Sequence, residues 1–355
     1  MRGLLLAGGH GTRLRPLTFT GNKHLLPVAN KPILFYGLEN LARAGIEEVG
    51  IILGPIKEGI VEAVGDGAKF GLKVTYIHQP EPLGIAHAIM ISEEFLRGEP
   101  FVVYLGDNLL KNGIESFIKL FEEKQSDAVI GVTPTKEPQR FGVVEMENGK
   151  IVRLVEKPKQ PKSNLALVGV YVFNDSIFEA CKKIKPSWRG ELEITDAIQT
   201  LINMNKKVDV NFVEGWWKDT GKPEDLLEAN QLVLQELEPY NKGSLEDGVI
   251  ITGNVVIEEG TVIHRDSTIR GPAIIGRNCE IGPNVYIGPY TSIGDGTKIV
   301  GAEIENSIIM NNVFIECNRR IVDSIIGNYS TIIEHEKNRP KGFKFILGER
   351  TFASI

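Results

Sequence analysis

The stretch "LLLAGGHGTRLRPLTFTGNKHLLPVANKPIL", residues 4–34, decides how the N-terminal part of this chain folds. An apolar run of strand type passes directly into Gly8, Gly9 and Gly11. Glycines allow backbone amides to approach a ligand closely, and the basic side chains that follow, Arg13 and Lys23 among them, indicate that this ligand is an anion. The stretch therefore predicts a phosphate-binding loop behind a buried strand.

The first 237 residues alternate short apolar runs with amphipathic segments. The runs "VGIILG", "VTYIHQ", "FVVYLGD" and "LALVGVYVF" have the length of strands, whereas "PILFYGLENLARAG" has helical spacing. This alternation predicts an α/β domain of Rossmann-like type, in which helices cover both faces of a mostly parallel sheet. The last helix is expected in "GKPEDLLEANQLVLQEL", where Pro223 suits the first turn. The following "EPYNKG" is the predicted linker, which divides the chain into domains 1–240 and 241–355.

The second half of the chain has a repeat of six residues. Isoleucine occupies every sixth position from Ile251 to Ile299. Such a hexapeptide repeat predicts a left- or right-wound parallel β-helix, in which each side turns a corner and points one aliphatic residue into a stacked core. Of the two hands, we expect the left-handed one. The register loosens after Ile299, and "GFKFILGERTFASI" is expected to be a terminal strand that closes the open end. The core isoleucines are expected to resume in part at Ile309, Ile315 and Ile321. Glycines that follow the core isoleucines are expected to mark the turns, at Gly276, Gly282, Gly288 and Gly294.

Composition excludes several classes of protein. The net charge of -6 predicts no bulk attraction to nucleic acid or to an anionic membrane surface. No run approaches the length of a membrane span, and the N-terminus does not have the pattern of a signal peptide. The cysteines are far apart, which argues against a disulfide scaffold and a structural zinc site and favours a reduced, cytoplasmic protein. Their positions are Cys181, Cys279 and Cys317.

The glycine loop differs from two common phosphate-binding motifs. The dinucleotide fingerprint requires a third glycine and a ribose-binding acid about 20 residues later, and both are missing after Gly11. The P-loop ending in Gly-Lys-Ser/Thr is also missing. What remains is Gly-Gly-x-Gly-Thr-Arg-Leu followed by Lys23. A plain glycine-rich surface turn is the alternative, but it would not require Arg13 and Lys23 at the end of a strand.

These motifs together resemble the sugar-1-phosphate nucleotidylyltransferases. "LAGGHGTRLRPLT" and "NKHLLPVANKP" match the family signature, and further matching segments follow in order over residues 1–237. The set is most similar to the glucose-1-phosphate thymidylyltransferases, in the long form that carries a C-terminal hexapeptide domain. The matching segments are "QPEPLGIAHAI", "LGDN", "RFGVVE", "EKP", "LVGVYVF", "RGELEITD" and "WWKDTG".

The resemblance implies a reaction between two anions. The phosphate oxygen of a sugar 1-phosphate, here glucose 1-phosphate, attacks the α-phosphorus of a nucleoside triphosphate, dTTP or UTP, and pyrophosphate leaves. The attacking oxygen is already ionised, so no general base is needed. Like charges 4 Å apart repel by about 4 kcal/mol at an effective dielectric of about 20, so the placement of cations should dominate the rate enhancement.

The resemblance also implies a role for each matching residue. Arg13 and Lys23 would hold the triphosphate, Lys157 would bind the sugar phosphate, and Asp107 and Asp219 would share a Mg²⁺ ion. Gln79 would read the pyrimidine edge, because an amide can donate and accept at once. The implied nucleotide-binding residues are Leu6, Gly8, Gly9, Gly11, Thr12, Arg13, Lys23, Gln79, Gly84 and Asp107. The implied sugar-phosphate-binding residues are Asn108, Gly142, Glu156, Lys157, Tyr171 and Arg189.

Several of these residues also have a simpler interpretation. Asp107 and Asn108 could cap a helix that follows the strand, and Lys157 could be an ordinary solvated lysine. Glu191 and Glu193 could be first-turn charges of the helix that follows, and they stay outside the predicted site. The triplet "DTG" is also found in aspartic proteases, but those enzymes need two carboxylates in an all-β fold. His87 and Leu83, next to the base-reading segment, could alter the choice between dTTP and UTP.

Two other functions are alternatives to nucleotidyl transfer alone. The β-helix could add an acetyltransferase acting on amino-sugar phosphates, for which His264 is the histidine within the strict repeats. Alternatively, the protein could be an inactive sensor or assembly protein, although the presence of Asp107, Asp219, Arg13 and Lys23 argues against it. Stacked repeats leave flat faces, so we predict a homo-oligomer.

Overall fold

The structure is a computed structural model, and it describes residues 1–55, 57–334 and 352. The chain divides into two compact units. The sheet unit consists of Met1–His10, Gly21–Leu25 and Ile33–Asp219, and the coil unit consists of Gly11–Thr20, Leu26–Pro32 and Thr220–Ile355. Two short N-terminal segments thus group with the C-terminal part, a division that the sequence periodicity does not reveal.

Helices and strands alternate through the first 235 residues. The strands are β1 (Arg2–Ala7), β2 (Pro27–Val28), β3 (Lys31–Pro32), β4 (Glu48–Leu53), β5 (Lys73–His78), β6 (Phe101–Leu105), β7 (Asn108–Leu110), β8 (Ala128–Pro134), β9 (Gly142–Glu147), β10 (Lys150–Glu156), β11 (Leu165–Phe173), β12 (Val208–Phe212) and β13 (Trp217–Asp219). The helices are α1 (Ile33–Arg43), α2 (Glu58–Val64), α3 (Ile85–Ile91), α4 (Glu93–Leu96), α5 (Glu115–Lys124), α6 (Ser176–Lys183), α7 (Ile194–Asn203) and α8 (Pro223–Gln235). Every apolar run quoted above forms a strand, and Pro223 begins α8 as predicted.

The main sheet is mixed but mostly parallel, as predicted. Its strand order is β10-β9-β11-β6-β1-β4-β5, with β8 beside β11 and β12 beside β8. Strands β6, β1, β4 and β5 are parallel neighbours, whereas β11 runs antiparallel to β6, β8 and β9. Because the carboxyl ends of parallel strands meet at one edge, the residues after β1, β5 and β6 come together there.

Two apolar cores cover the two faces of this sheet. Alternate residues of β1 belong to opposite cores. Leu4 belongs to the core under α3, α6 and α7, and Leu5 belongs to the core under α1, α2 and α5. The same alternation in β6 sends Val103 to the first core and Val102 to the second. Strands buried on both faces read as continuous apolar runs, which is why the sequence reveals them so clearly.

The coil unit contains short parallel strands that enter three sheets in rotation. They are β14 (Tyr240–Asn241), β15 (Ser244–Leu245), β16 (Ile250–Thr252), β17 (Val255–Ile257), β18 (Val262–Ile263), β19 (Thr268–Arg270), β20 (Ala273–Ile275), β21 (Glu280–Ile281), β22 (Tyr286–Ile287), β23 (Thr291–Ile293), β24 (Lys298–Val300), β25 (Glu303–Glu305), β26 (Ile308–Ile309), β27 (Phe314–Glu316), β28 (Arg320–Val322), β29 (Ile325–Ile326) and β30 (Thr331–Ile333). Every third strand joins the same sheet. This arrangement is consistent with the predicted β-helix.

The step between stacked strands explains the six-residue period. Ile257 pairs with Ile275, which lies 18 positions later, so three hexapeptides make one turn of the coil. The isoleucines from Ile257 to Ile299 are completely buried in one stack. After Ile299 the turn shortens: Ile287 pairs with Ile304, 17 positions later, which is why the predicted register loosens there.

Two predictions about the coil unit are wrong in detail. "EPYNKG" is not a linker, because Tyr240 and Asn241 within it already form β14 and pair with β17. The glycines directly after the core isoleucines are not the turn residues in general: of Gly276, Gly282, Gly288 and Gly294, only Gly282 has a positive φ. The left-handed residue is usually the third after the isoleucine, as at Asn278 and Asn284. Gly276 instead allows close approach, since a Cβ there would lie 2.4 Å from Asp295 Oδ1.

Helix α8 is joined to the strands of the coil unit by a buried asparagine. The Asn230 side chain is completely buried, accepts hydrogen bonds at Oδ1 from Ala29 N (2.8 Å) and Ser292 Oγ (2.6 Å), and donates from Nδ2 to Tyr290 O (3.1 Å). Ala29 lies in the turn of the β2–β3 hairpin. The predicted terminal strand "GFKFILGERTFASI" lies outside the residues whose structure is described, apart from Phe352. No helix in the described part of the chain is long and apolar enough to cross a membrane.

Candidate functional site

The predicted nucleotide-binding residues of the sheet unit follow the carboxyl ends of its parallel strands. Gly8 comes directly after β1, Gln79 directly after β5, and Asp107 two residues after β6. Leu6 lies within β1, and its carbonyl accepts a hydrogen bond from Gly106 N (2.9 Å). The strand register therefore collects residues from distant parts of the sequence at one edge of the sheet.

Lys23 and Asp107 form an ion pair at this edge. Their side chains are each only 15% exposed, and the Lys23 ammonium contacts Asp107 Oδ2 directly. Gly9 makes room for this lysine, because a Cβ at Gly9 would lie 2.8 Å from Lys23 Cε. Gly9 is therefore needed to leave room for the Lys23 side chain, in addition to the predicted role of the loop glycines in letting a ligand approach the backbone.

The charge of Lys23 keeps Asp107 ionised. Burial alone would raise the pKa of Asp107, but the neighbouring ammonium outweighs it and holds the pKa below its ordinary value. Burial, reinforced by the same ammonium, lowers the pKa of His24 to about 3, so this imidazole is neutral near pH 7. The pair therefore presents a carboxylate and an ammonium next to a neutral histidine.

Asn108 holds Asp107 in place. Asn108 Nδ2 donates to Asp107 Oδ1 (3.0 Å), and Asn108 Oδ1 accepts a hydrogen bond from Trp217 Nε1 (2.6 Å). The alternative that these residues cap a helix is wrong, because Asn108 begins strand β7. Its predicted contact with a sugar hydroxyl is also not supported, since the side chain is buried and bonded at both ends.

Asp219 approaches the same place through strand pairing. Strand β13 runs antiparallel to β7, and the register places Asp219 opposite Asn108, the neighbour of Asp107. The two predicted metal ligands, separated by 112 positions in the sequence, are therefore close in the backbone. This pairing also brings Trp217, a residue of the WWKDTG segment outside the predicted site, within hydrogen-bond distance of Asn108.

Asp107 and Asp219 fit a magnesium ion by the chemistry of their donor atoms. Mg²⁺ prefers hard oxygen ligands and usually takes one or two protein carboxylates, with water and substrate phosphates completing its shell. No cluster of three or more acidic, histidine or cysteine side chains suited to a metal is found among the described residues. A site of two carboxylates that relies on substrate oxygens matches magnesium and not a fully protein-bound ion.

The predicted base-reading residues form a second group. Gln79, which is 6% exposed, donates from Nε2 to Gly84 O (3.2 Å), and the same nitrogen lies 3.0 Å from His87 Nδ1. Gly84 has φ 101° and precedes α3, and a Cβ there would lie 2.4 Å from Leu192 O. Glycine is required at position 84 on both counts.

The predicted sugar-phosphate residues form a third group around Glu156. Gly142 pairs with Glu156 across β9 and β10, and the Lys157 ammonium lies 3.3 Å from Glu156 Oε1. Tyr171 lies close enough for the Glu156 charge to act on it: burial first, and then this charge, raise the pKa of the Tyr171 hydroxyl. The Tyr171 ring belongs to the apolar core, where it stacks on Phe173.

Arg189 is held in this group by three carboxylates. Its guanidinium donates to Glu156 Oε1 (3.2 Å), Glu191 Oε1 (2.7 Å) and Glu193 Oε1 (3.4 Å). The alternative that Glu191 and Glu193 are first-turn charges of a helix is wrong, because α7 begins only at Ile194 and Glu193 is at its N-cap. Burial raises the pKa of Glu193. The spacing Arg-x-Glu-x-Glu was the signal in the sequence that could have revealed this group.

The remaining predicted residues belong to the coil unit. Gly11 adopts φ 62° and precedes a short 3-10 turn, Thr12–Leu14, which contains Arg13. The side chains of Thr12 and Arg13 are exposed. Thr18 closes this segment by donating from Oγ1 to Gly11 O (2.7 Å). Their predicted contacts with a triphosphate remain predictions.

His264 was the residue on which an acetyltransferase site would depend. It lies at a corner of the coil, where its Nδ1 is 3.0 Å from Glu246 Oε1. Glu246 also accepts a hydrogen bond from Arg265 N (3.0 Å). The contact is an exposed surface pair, and acetyl transfer stays an untested prediction.

Comparison with known proteins assigns a family description to each half of the chain. A model described as nucleotidyl transferase matches residues 2–236, and a model described as GMPPB C-terminal domain matches residues 267–349. The latter match lies within residues 241–355, the predicted hexapeptide-repeat domain, which stays a prediction.

Two relatives and one solved structure illustrate these similarities. The low-salt glycan biosynthesis nucleotidyltransferase Agl11 of Haloferax volcanii is 47% identical over 353 residues, which is 99% of both chains. A glucose-1-phosphate thymidylyltransferase of Streptomyces antibioticus is 47% identical over 357 residues, which is 100% of this chain and 99% of the relative. The structure of a UDP-glucose pyrophosphorylase complexed with UDP-glucose is 27% identical, has a TM-score of 0.60, and covers 66% of this chain and 99% of its own.

Proposed function

Because this chain belongs to the nucleotidyl transferase family, we propose that it transfers a nucleotidyl group from dTTP or UTP to glucose 1-phosphate and releases pyrophosphate. Nucleotidyl transfer to a sugar 1-phosphate is supported by relatives that match the full length of the chain. The choice of thymidine or uridine nucleotide and of glucose follows the names of the relatives and the amide of Gln79.

The observation that carries the proposal is the meeting of Lys23, Asp107 and Asp219 at the carboxyl edge of the sheet. The Lys23 ammonium and the Asp107 carboxylate are in contact, and the register of β7 and β13 brings Asp219 alongside. Charge of both signs at a partly buried edge suits a reaction whose main barrier is repulsion between anions. A protein that only bound sugar would not need such a group.

The reaction needs positioning more than proton transfer. An oxygen of the sugar phosphate forms a bond to the α-phosphorus, and the bond from that phosphorus to the bridging oxygen of pyrophosphate breaks. The attacking oxygen carries a negative charge near pH 7, so no residue has to remove a proton. The chain's part is therefore to hold two anions in line and to neutralise them.

The cationic side chains are divided between the two substrates in this scheme. Lys23, with Arg13 and the amides of Gly8, Gly9 and Gly11, would hold the triphosphate and stabilise the charge that develops on pyrophosphate. Lys157 and Arg189 would bind the sugar phosphate. Asp107 and Asp219 would hold Mg²⁺, which when bound would offset the charge of the reacting phosphates. Asn108 and Trp217 would keep Asp107 aimed at that position.

A screen for pyrophosphate release tests the proposal. The full-length protein is incubated with Mg²⁺, with each of dTTP, UTP, dCTP, ATP and GTP, and with the 1-phosphates of glucose, galactose and N-acetylglucosamine. We expect release with dTTP or UTP and glucose 1-phosphate to exceed release with every other pair. Release with none of the pairs would overturn the proposed reaction.

For the coil unit we propose a left-handed β-helix whose outer faces join copies of this chain into a homo-oligomer. Large apolar side chains on those faces are exposed, including Ile250, Leu245 and Tyr329, and stacked repeats leave flat surfaces. Buried, unpaired thiols at Cys181, Cys279 and Cys317 fit a reducing, cytoplasmic setting. Light scattering coupled to gel filtration tests the assembly, and a monomer at micromolar concentration would contradict it.

A further inference from the structure

The orientation of the Gln79 amide is fixed by its surroundings. One end of the amide faces Gly84 O at 3.2 Å, and a carbonyl oxygen can only accept a hydrogen bond. The atom at that end must therefore be Nε2. The other end, Oε1, lies next to Gly8: a Cβ on Gly8 would be 3.4 Å from it. Gln79 thus turns its oxygen toward the glycine loop.

His87 uses the remaining proton of this amide. An amide nitrogen carries two protons, and one of them goes to Gly84 O. The other points to His87 Nδ1, which is 3.0 Å from Gln79 Nε2 and must be the unprotonated acceptor. Gln79 Oε1 has no hydrogen-bond partner in the part of the chain that the structure describes. The side chain therefore offers a ligand an acceptor and no donor.

This finding corrects the expectation that Gln79 both donates to and accepts from the base. Thymine and uracil carry a ring N–H, N3–H, between two carbonyl groups, whereas N3 of cytosine is unprotonated and can only accept. An acceptor aligned with N3 pairs with the N3–H of thymine or uracil, whereas it meets the lone pair of cytosine N3; the cytosine amino group lies at position 4 and cannot replace N3–H in that alignment. A site built around one hydrogen bond rejects a ligand that leaves its polar group unpaired.

We propose that His87 is a specificity-determining positioning residue for the nucleotide base. By accepting the second amide proton of Gln79, it adds to Gly84 O in holding Nε2 away from the ligand, so that Oε1 faces the base and disfavours cytidine nucleotides. The inference rests on the proposed function, in which the base of a pyrimidine nucleotide lies at Gln79. His87 lies in the first turn of α3, three residues after Gly84. This position allows Gly84 O and His87 Nδ1 to face the same nitrogen of Gln79.

The tautomer of His87 tests the inference without any turnover. In ¹⁵N-histidine-labelled protein, the His87 signals are assigned by their disappearance in His87→Gln. We expect Nδ1 to be unprotonated and Nε2 to carry the proton. A His87 ring that carries its proton on Nδ1 would donate to Gln79 and would overturn the inference, whether or not the protein transfers nucleotides.

Base selectivity provides the second test. The ratio of kcat/KM for dTTP to that for dCTP is measured with glucose 1-phosphate for the wild type, His87→Leu and His87→Gln. Leucine removes one of the two acceptors that hold Nε2, so the whole amide can turn by 180° more readily and present Nε2 to cytosine N3, and we expect the ratio to fall about 10-fold. Glutamine restores an acceptor and should restore most of the ratio.

The outcomes distinguish a failure of the proposed function from a failure of the inference about His87. If the wild type releases no pyrophosphate with any nucleotide, the proposed function fails, and the tautomer measurement still decides the inference. If the wild type prefers dTTP to dCTP but His87→Leu keeps the same ratio, the inference fails alone. Equal rates of the wild type with dTTP and dCTP would also overturn it.

Discussion

The carboxyl edge of the main sheet and the isoleucine stack of the coil unit are built on opposite plans. At the sheet edge, Lys23, Asp107 and Asp219 come from positions up to 196 residues apart. Lys23 pairs with Asp107, and Asp219 lies opposite Asn108 on the neighbouring strand. In the stack, one residue type recurs at a fixed interval, and each isoleucine contacts equivalents one turn away. The edge is polar and irregular, whereas the stack is apolar and repetitive.

Because of this difference, we expect the sheet edge to determine activity and the isoleucine stack to determine stability. A substitution at the sheet edge removes one charge that no neighbour can replace, so we expect it to affect transfer of the nucleotidyl group first. A substitution in the stack removes apolar burial, so we expect it to affect the free energy of unfolding first. Three variants, each with a matched control, test whether the two regions differ in this way.

Asp107→Asn should lower kcat/KM for pyrophosphate release by about 10³-fold or more, a loss of the size seen when a key electrostatic group is removed. Asparagine keeps the shape but loses the charge that would hold Mg²⁺ and that pairs with Lys23. Circular dichroism should show a folded protein. Asp247→Asn, at an exposed carboxylate of the coil unit, is the matched control and should keep wild-type activity. Comparable activity of the two variants would contradict the assignment of Asp107.

Ile281→Ala should destabilise the coil unit by about 3 kcal/mol, within the range for removing part of a fully buried aliphatic side chain. Ile281 is 0% exposed in the stack, whereas Ile250, which is 56% exposed, provides the control Ile250→Ala with an effect below about 0.5 kcal/mol. Denaturant unfolding gives both values. We expect kcat/KM of the folded Ile281→Ala protein to remain near that of the wild type. Equal stability of the two variants would break the contrast.

Asn230→Ala should cost about 2 kcal/mol, because the backbone amide of Ala29 and the carbonyl of Tyr290 lose their buried partner. The control is Gln235→Ala, which removes an exposed hydrogen bond from Nε2 to the Tyr290 hydroxyl (3.2 Å) and should cost less than about 0.5 kcal/mol. Thermal unfolding of both variants under identical conditions measures the difference. An Asn230→Ala protein as stable as the control would show that the network does not contribute to the coil unit.

How well the sequence predicts each region follows from the same contrast. The isoleucine period is local, so the stacked core could be predicted residue by residue from Ile257 to Ile299. The apolar runs of β1, β4, β6 and β11 were equally visible, because strands buried on both faces lack polar interruptions. The shorter turn after Ile299 could not be predicted, since it depends on how the corners close.

The candidate site was only partly visible in the sequence. Asp107 and Asp219 could be selected through motifs, but their proximity depends on the pairing of β7 with β13, which no periodicity encodes. The bonds of Asn108 to Asp107 and Trp217, and the carboxylates around Arg189, depend on side-chain direction in the folded protein. The use of both Gln79 protons by its neighbours changed the chemical role expected for that residue.

The central claim is that a cation and a pair of carboxylates at the sheet edge bring two phosphate anions together. Crystals grown with dTTP and Mn²⁺, with data collected at the manganese absorption edge, test it most directly. We expect an anomalous peak within coordination distance of Asp107 and Asp219, with the triphosphate against Lys23 and the glycine loop. A metal peak away from both aspartates, or a triphosphate bound elsewhere, would contradict the account.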